Sequence, residues 1–276
     1  MTEKLHAPPP GRRVVPGIGA GTSRPLVPDV AWEIFHENSK TGELRGMLPD
    51  HVVVAQMEAL EEQLTYRGYP RFELPRRTPL DDVSVQTAID RRESARTMTD
   101  TVLTIDDLST LLHAAYGLRE HQPEGDFPRR FRSVPSGGAL YPLELYVHAS
   151  DVLGLPVGLF HYEPLTHSVR LLRDEPRSAF RSTLVAPEVV DHAAVTIFLT
   201  AIFYRSTFKY GERGYRFVLL EAGHVGQNVD LTAAALGYAA LNIGGYFDDA
   251  VDAYLGLDGL RHSTVYLVAV GGRGGS

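Results

Sequence analysis

Apolar positions along this chain follow two rhythms. In "TIDDLSTLLHAAYG" the residues Leu108, Leu111, Leu112 and Ala115 recur three and four apart, the repeat of one helix face. Thr104, with Asp107 three positions later, makes a capping-box-like start, and Gly117 is placed as a stop. A second helical pattern runs through "VVVAQMEALEEQL", residues 52–64. The longest, "RFVLLEAGHVGQNVDLTAAALGY", is rich in Gly and Ala, so another backbone can come close, and Gly237 is placed to end it. The other rhythm is that of "LELYVHAS", "AAVTIFLTAIF" and "STVYLVAVGG". These runs are short, β-branched or aromatic, and bounded by turn formers, which predicts strands of a sheet covered on its faces. Helices and strands mix without a regular βαβ alternation, so the expected class is α+β.

Around these elements the pattern changes. Residues 1–29 are rich in Pro and Gly and have no period, as expected of a flexible arm. Residues 30–86 read as an N-terminal extension packed on a main domain spanning 87–276. The Gly17, Gly19, Gly21 spacing lacks the third interval of a dinucleotide loop and follows no predicted strand.

Charge and composition then remove whole classes of function. The net charge of −7 argues against a nucleic-acid grip, while leaving room for a local basic pocket. No cysteine is present, which excludes disulfides, thiolate catalysis and Cys-ligated metal. No metal site is expected either, because His161 and His167 stand six apart with Pro164 between them. No run of about 18 apolar residues offers a membrane span, and a cytoplasmic location is expected. Neither a G-x-S-x-G elbow nor a phosphate-binding P-loop motif is present.

Four constellations remain. "IDRRESAR" packs Arg91, Arg92, Ser94 and Arg96 into six positions; such forks suit phosphate oxygens or a heterocycle edge, and equally a solvated basic face. "FRSVPSGGALYPLELYV" sets a Ser-Gly-Gly turn before a strand, where the missing Cβ atoms admit a flat ligand or simply ease the turn. "FKYGERGYR" puts Lys209 beside Tyr210. Consecutive residues on a strand face opposite ways, so only a loop or helix start brings both to one site, as a general base and its partner; a snorkelling Lys beside a packed Tyr is the alternative. "NIGGYFDD" and "VAVGGRGG" end core elements with glycine, exposing backbone N–H groups near Gly244 and Gly245 and setting Arg273 at the end of a strand.

In this order the motifs resemble the FMN-dependent nitroreductase-like flavoproteins, and within them the SagB-type dehydrogenases, or azoline oxidases. The match is carried by "FHENSK", "RRESAR", "SVPSGGALYPLELYV", "GLFHYEP", "FKYGERGYRFVLLEAGHVGQN", "ALGYAALNIGGYFDD" and "VAVGG". The resemblance implies a nitroreductase-like fold: a mostly antiparallel central sheet wrapped by helices, in an obligate-type homodimer with FMN at the subunit interface. It assigns Arg92, Ser94 and Arg96 to the phosphate, the ribityl chain and the pyrimidine side of the ring. Pro135, Ser136 and Gly137 would lie along the isoalloxazine, Gly244 and Gly245 would donate to its N5 and carbonyl edge, and Arg273 would meet the phosphate. Glu93, inside the basic stretch, is expected to face solvent.

The activity so implied is oxidation of a thiazoline or oxazoline ring in a ribosomal or carrier-bound peptide to the aromatic azole. Lys209 and Tyr210 would supply the base that removes the Cα proton as hydride leaves for flavin N5, with dioxygen as the final oxidant. A peptide substrate and a cyclodehydratase partner follow from this reading, with no nucleic acid and no membrane. Two other readings are an NAD(P)H-dependent nitro or quinone reductase, and a flavin-bound scaffold inside a peptide-modifying complex.

Overall fold

The computed structural model describes residues 30–42, 48–80, 82–122 and 127–274; the expected arm, residues 1–29, and the Gly17–Gly21 stretch lie outside them. Among the described residues there are eight α-helices: α1 (Ala31–Asn38), α2 (Asp50–Ala59), α3 (Val85–Arg91), α4 (Ile105–Tyr116), α5 (Ser178–Arg181), α6 (Tyr204–Tyr210), α7 (Glu212–Leu236) and α8 (Asp248–Leu255). Ten strands accompany them: β1 (Arg71–Glu73), β2 (Met98–Thr99), β3 (Leu103–Thr104), β4 (Leu143–Ala149), β5 (Val152–Leu153), β6 (Gly158–Glu163), β7 (Ser168–Arg173), β8 (Ala193–Ile202), β9 (Ala239–Ile243) and β10 (His262–Arg273). The main sheet runs β1-β7-β6-β4-β8-β10-β2, with β9 also on β10. Its ladders are antiparallel, as expected for this α+β class. The short β3–β5 pair is parallel.

Both faces of the sheet are covered, which is why its strands read as unbroken apolar runs. On β8, Val195, Ile197, Leu199 and Ala201 pack toward α4 and α7, against Leu108, Leu111, Leu112, Val218, Val225 and Val229. Phe198 points the other way, to Phe180 of α5 and Val251 and Leu255 of α8. The alternation is that of a pleated strand between two helical layers. Among the described residues no helix is long and apolar enough to cross a membrane.

The helix boundaries follow local chemistry. Thr104 Oγ1 accepts the Asp107 N–H at 3.0 Å and caps α4. Gly117 ends that helix with an ordinary φ of −67°, and its reason is space: a Cβ there would stand 2.7 Å from the His113 carbonyl oxygen. Gly237 ends α7 in the left-handed region, φ +88°.

The pattern over 52–64 breaks earlier than its periodicity predicts. α2 stops at Ala59, and the chain beyond it becomes a strap over the sheet. Polar anchors win over helix propensity there: Arg129 donates to the Met57 and Leu60 carbonyls, Arg132 to the Glu62 carbonyl, and the Leu64 N–H donates to Glu144. The N-terminal region is tied into the main sheet through β1, and α3 straddles the 86/87 boundary set by composition.

Candidate active site

The turn after Val134 has an unusual backbone. Gly138, Ala139 and Tyr141 all have positive φ, +65°, +53° and +46°. A left-handed residue with a side chain costs on the order of 1 kcal/mol, so Ala139 and Tyr141 must be held in place. Three hydrogen bonds hold them: the Ala139 N–H donates to the Ser136 carbonyl at 3.0 Å, the Tyr141 N–H to Ser136 Oγ at 2.9 Å, and the Arg132 N–H to the Tyr141 hydroxyl at 3.0 Å. Gly137 packs on α7, where a Cβ would stand 3.1 Å from the Phe217 ring. Gly138 meets α6 instead: a Cβ there would lie 2.6 Å from the Tyr210 hydroxyl and 3.0 Å from Lys209 Nζ.

Lys209 and Tyr210 are the last two residues of α6, which ends at Gly211, φ +52° and ψ −139°. The sequence led to a loop or a helix start for this pair; a helix end meets the same requirement, because its side chains need not face opposite ways. Lys209 Nζ sits 5.2 Å from the centre of the Tyr210 ring. An amine and a phenol brought together at one spot supply groups that can pass a proton to or from a bound molecule. In front of the turn lies a depression of about 390 Å³ lined by Arg132, Pro135, Ser136, Ala139 and Tyr141, among others.

The basic residues gather elsewhere, where α3, β2 and the end of β10 meet. Arg92 Nη1 reaches Ser94 Oγ at 3.5 Å, and the Ala95 N–H donates to the Ala240 carbonyl, laying this segment along β9. Arg273 donates to the Arg91 carbonyl and stands 4.0 Å from Glu93, whose side chain is 66% exposed and faces solvent as expected. Arg96 is exposed and makes no hydrogen bond or ion pair with any described residue. Gly244 and Gly245 follow β9, exposed, and their N–H groups have no partner among the described residues.

These residues fit the FMN that the sequence led us to expect. Arg92, Arg96 and Arg273 would offer a positive edge to a phosphate. Beside it, Asn242 Nδ2 donates to Asp230 Oδ2 at 2.5 Å, while Asn242 Oδ1 and Asp230 Oδ1 are buried without a hydrogen-bond partner. Such orphaned acceptors suit the hydroxyls of a ribityl chain. Burial pushes the Asp230 carboxyl up to about 6, against the opposing pull of Asn242 and Arg92. Gly226 is required here, because a Cβ would stand 2.7 Å from Asn242 Oδ1. The backbone donors of Gly244 and Gly245 would complete the set at the ring edge.

Within one chain the two groups of expected residues stay apart. The Ser136–Gly138 turn and the Lys209–Tyr210 pair lie near Phe217 on α7, and the arginine cluster lies near Asp230, thirteen residues on; at 1.5 Å of rise per residue that is about 20 Å. Tyr215, one turn from the first group, is 37% exposed, and between the two groups α7 presents Leu219 and Leu220 to solvent at 43% and 60% exposure, with the exposed Gly223 following.

Several buried polar residues near the site were not singled out from the sequence. Glu221 accepts from the Tyr116 hydroxyl at 2.6 Å, and Glu144 holds Arg205 at 2.6 Å and His161 Nε2 at 2.8 Å. A signal for Glu221 was present: an acid within the apolar stripe Val218, Ala222, Val225 and Val229 must have a buried partner. Among the described residues no cluster of His, Asp and Glu could hold a metal.

The model of the nitroreductase family matches residues 89–272. Protein MJ1384 of Methanocaldococcus jannaschii, named as a nitroreductase, is 35% identical over 173 residues, covering 62% of this chain and 84% of its own length. The microcin B17-processing protein McbC of Escherichia coli is 31% identical over 133 residues, 46% of this chain and 49% of McbC. The trifolitoxin-processing protein TfxB of Rhizobium leguminosarum bv. trifolii is 28% identical over 184 residues, 61% of this chain and 47% of TfxB, so the chain spans about half of these two relatives. A crystal structure from Anabaena variabilis, also named as a nitroreductase, superposes with a TM-score of 0.70 at 25% identity, covering 95% of this chain and 52% of that one.

Proposed function

This chain belongs to the nitroreductase family, whose cofactor is FMN, and from that premise we propose that it oxidises thiazoline or oxazoline rings in a peptide to thiazoles or oxazoles. The observation that carries the reading is the convergence of Lys209 Nζ and the Tyr210 hydroxyl on Gly138, at the rim of the Ser136–Gly138 turn. A reductase that only passes hydride between two soluble partners has no need of a paired base there. Ring oxidation does, because the Cα–H of an azoline must leave as a proton. Relatives named for the processing of microcin B17 and trifolitoxin support a peptide as the substrate.

Bound FMN would supply the two-electron acceptor for the ring's hydride, with dioxygen as the final oxidant. The chain's own residues do the rest. Lys209 and Tyr210 take the Cα proton, which the adjacent imine and carbonyl acidify. Gly137 and Gly138 keep the turn flat, so that a planar ring can lie against backbone. Arg92, Ser94, Arg96 and Arg273 hold the phosphate, and Gly244 and Gly245 donate to the ring edge, where a positive environment favours the reduced form.

One chain brings these groups together only with a second copy. The exposed apolar residues of α7 support a homodimer in which the turn and base pair of one protomer meet the arginine cluster of its partner. A cyclodehydratase would supply the azoline.

The test is turnover of an azoline-bearing peptide by the FMN-loaded protein. Replacing both Lys209 and Tyr210, as K209A with Y210F, should abolish azole formation while the yellow cofactor stays bound; unchanged turnover overturns the assignment. The resemblance to the archaeal nitroreductase favours a second reading, a nitro or quinone reductase. Rapid bleaching of the flavin by NADPH without any peptide would decide for it.

A further inference from the structure

The groove that leads away from the turn has no part in the reading above. The depression in front of Ser136 shares Arg119 and Ser133 with a neighbouring one of about 250 Å³, which shares Arg77 and His113 with a third of about 430 Å³. Joined, they run along the flank where α4 meets α7. Asn228 stands at the far end, tied to α4 by its side-chain donation to the Ala114 carbonyl at 2.8 Å. Phe217, against which Gly137 packs, lies eleven residues before Asn228. Eleven residues make about three helical turns, so the two share one side of α7 and stand about 16 Å apart. Asp230, beside the arginine cluster, is only two residues further on, about 200° around the helix. The groove and this protomer's arginine cluster therefore lie on opposite sides of α7.

Its lining calls for a polar, anionic ligand. At the turn end Arg132 is buried, donates to the Glu62 carbonyl at 2.8 Å and pairs with no carboxylate among the described residues; its Nε has no partner. The next residue, Ser133, also has its Oγ buried without a partner. Unmatched buried polar atoms are costly, and a peptide backbone offers both a carbonyl and an N–H to satisfy them. From Arg119 onward the lining is basic. Arg76, Arg77 and Arg119 are exposed there against one described carboxylate, Glu120, which Arg77 holds at 2.7 Å. Arg76 and Arg119 make no hydrogen bond or ion pair with any described residue. This positive concentration stands out on a chain whose net charge is −7.

An extended backbone advances about 3.3 Å per residue, so 16 Å of groove holds about five residues. We propose that the peptide substrate lies extended in this groove, and that Arg76 and Arg77 receive an acidic side chain about five residues from the ring that is oxidised. The inference rests on the peptide reading above and adds which peptides are taken. Charge complementarity is what selects the occupant: the rest of this acidic chain repels an acidic peptide, and the groove attracts it. The two arginines act on capture and register of the peptide and have no part in the chemistry at the ring.

The test reads binding, so it does not depend on turnover. The probes are short fluorescein-labelled peptides, each with one thiazole, the unreactive product ring, and a Glu-Glu pair about five residues before or after it; Gln-Gln replaces the pair in the controls. Anisotropy is measured against FMN-loaded protein. One of the two Glu-Glu peptides should bind on the order of tenfold more tightly than its control at low salt, and the advantage should fade as salt rises. Arg76→Ala with Arg77→Ala should remove it, whereas Arg261→Ala, at an exposed arginine outside the groove, should keep it. Arg76→Glu with Arg77→Glu should instead prefer a Lys-Lys peptide, a gain that a damaged fold cannot produce. Binding blind to charge in both placements overturns the proposal, as does an advantage that survives in the double alanine variant. If thiazoline peptides are not oxidised but the arginine-dependent advantage holds, the azoline reading falls and the groove stands. Azole formation with charge-blind binding removes the groove alone.

Discussion

Gly138 and Tyr210 approach so closely that a single methyl group on the glycine would stand 2.6 Å from the phenol oxygen. Two demands meet at this residue, since its φ of +65° already favours glycine. Gly138→Ala should cost about 1–2 kcal/mol from the backbone alone. The clashing atoms are the tips of Lys209 and Tyr210, which can move aside, so the variant should fold. Its reactive groups would be displaced by about an ångström, and turnover should fall on the order of 100-fold. Thermal unfolding beside single-turnover flavin reduction separates the two effects; a loss of stability with full activity would deny the contact any functional role.

The arginine cluster makes a prediction about cofactor affinity. Arg273→Ala removes a charge-assisted contact worth about 1.5–3 kcal/mol, and FMN should bind roughly tenfold to a hundredfold more weakly. Glu93→Gln alters an exposed carboxylate 4.0 Å from Arg273, and should change affinity only about two- to threefold. Fluorescence titration of the apoprotein with FMN measures both. Equal losses in the two variants would place the phosphate elsewhere.

How much of this was legible in the sequence depends on the kind of interaction. The α4 and α7 helices and the strands β4, β8 and β10 follow from apolar period and turn formers, because burial dominates there. The β6–β7 hairpin was not read as strands: it turns at His167, a non-glycine residue with φ +48°, so no Gly marks the turn. The base pair and the turn were both visible as motifs. Their contact was not, since Gly138 and Lys209 are distant in sequence and nothing local records the approach. The buried acids were the least readable, because Glu144 in "LELYVHA" takes its meaning from Arg205 and His161, which only the fold brings near.

That buried group should show itself in stability. Glu144 is 2% exposed and accepts from Arg205, His161 and the Leu64 N–H, which fastens the strap after α2 to the sheet. Burial alone would raise its carboxyl; Arg205 and His161 override that and hold it down at about 2. Glu144→Gln leaves the Arg205 guanidinium buried without its counter-charge, and should cost about 3–5 kcal/mol. Pairing it with Arg205→Met should recover part of the loss. Urea midpoints of the two single variants and the double variant form the cycle, and simple additivity would mean that the pair is not coupled.

Two buried groups should pull stability in opposite directions over the same acid range. Glu221, pushed up by burial to about 7 from an ordinary 4.5, binds more protons folded than unfolded, so its contribution is complete at low pH and is lost as pH rises between those values. His262, held by burial down at about 4 from an ordinary 6.5, binds fewer protons folded, so its contribution is present above 6.5 and is lost as pH falls toward 4. Across the overlap from 4.5 to 6.5 the two slopes cancel in wild type. Each variant exposes the other group. From the lower to the higher end of that window, Glu221→Gln should gain about 2–3 kcal/mol relative to wild type, and His262→Gln should lose about as much. Urea denaturation of all three proteins at both ends decides it. Parallel behaviour of the two variants would show that at least one of the two groups titrates alike in the folded and unfolded chain.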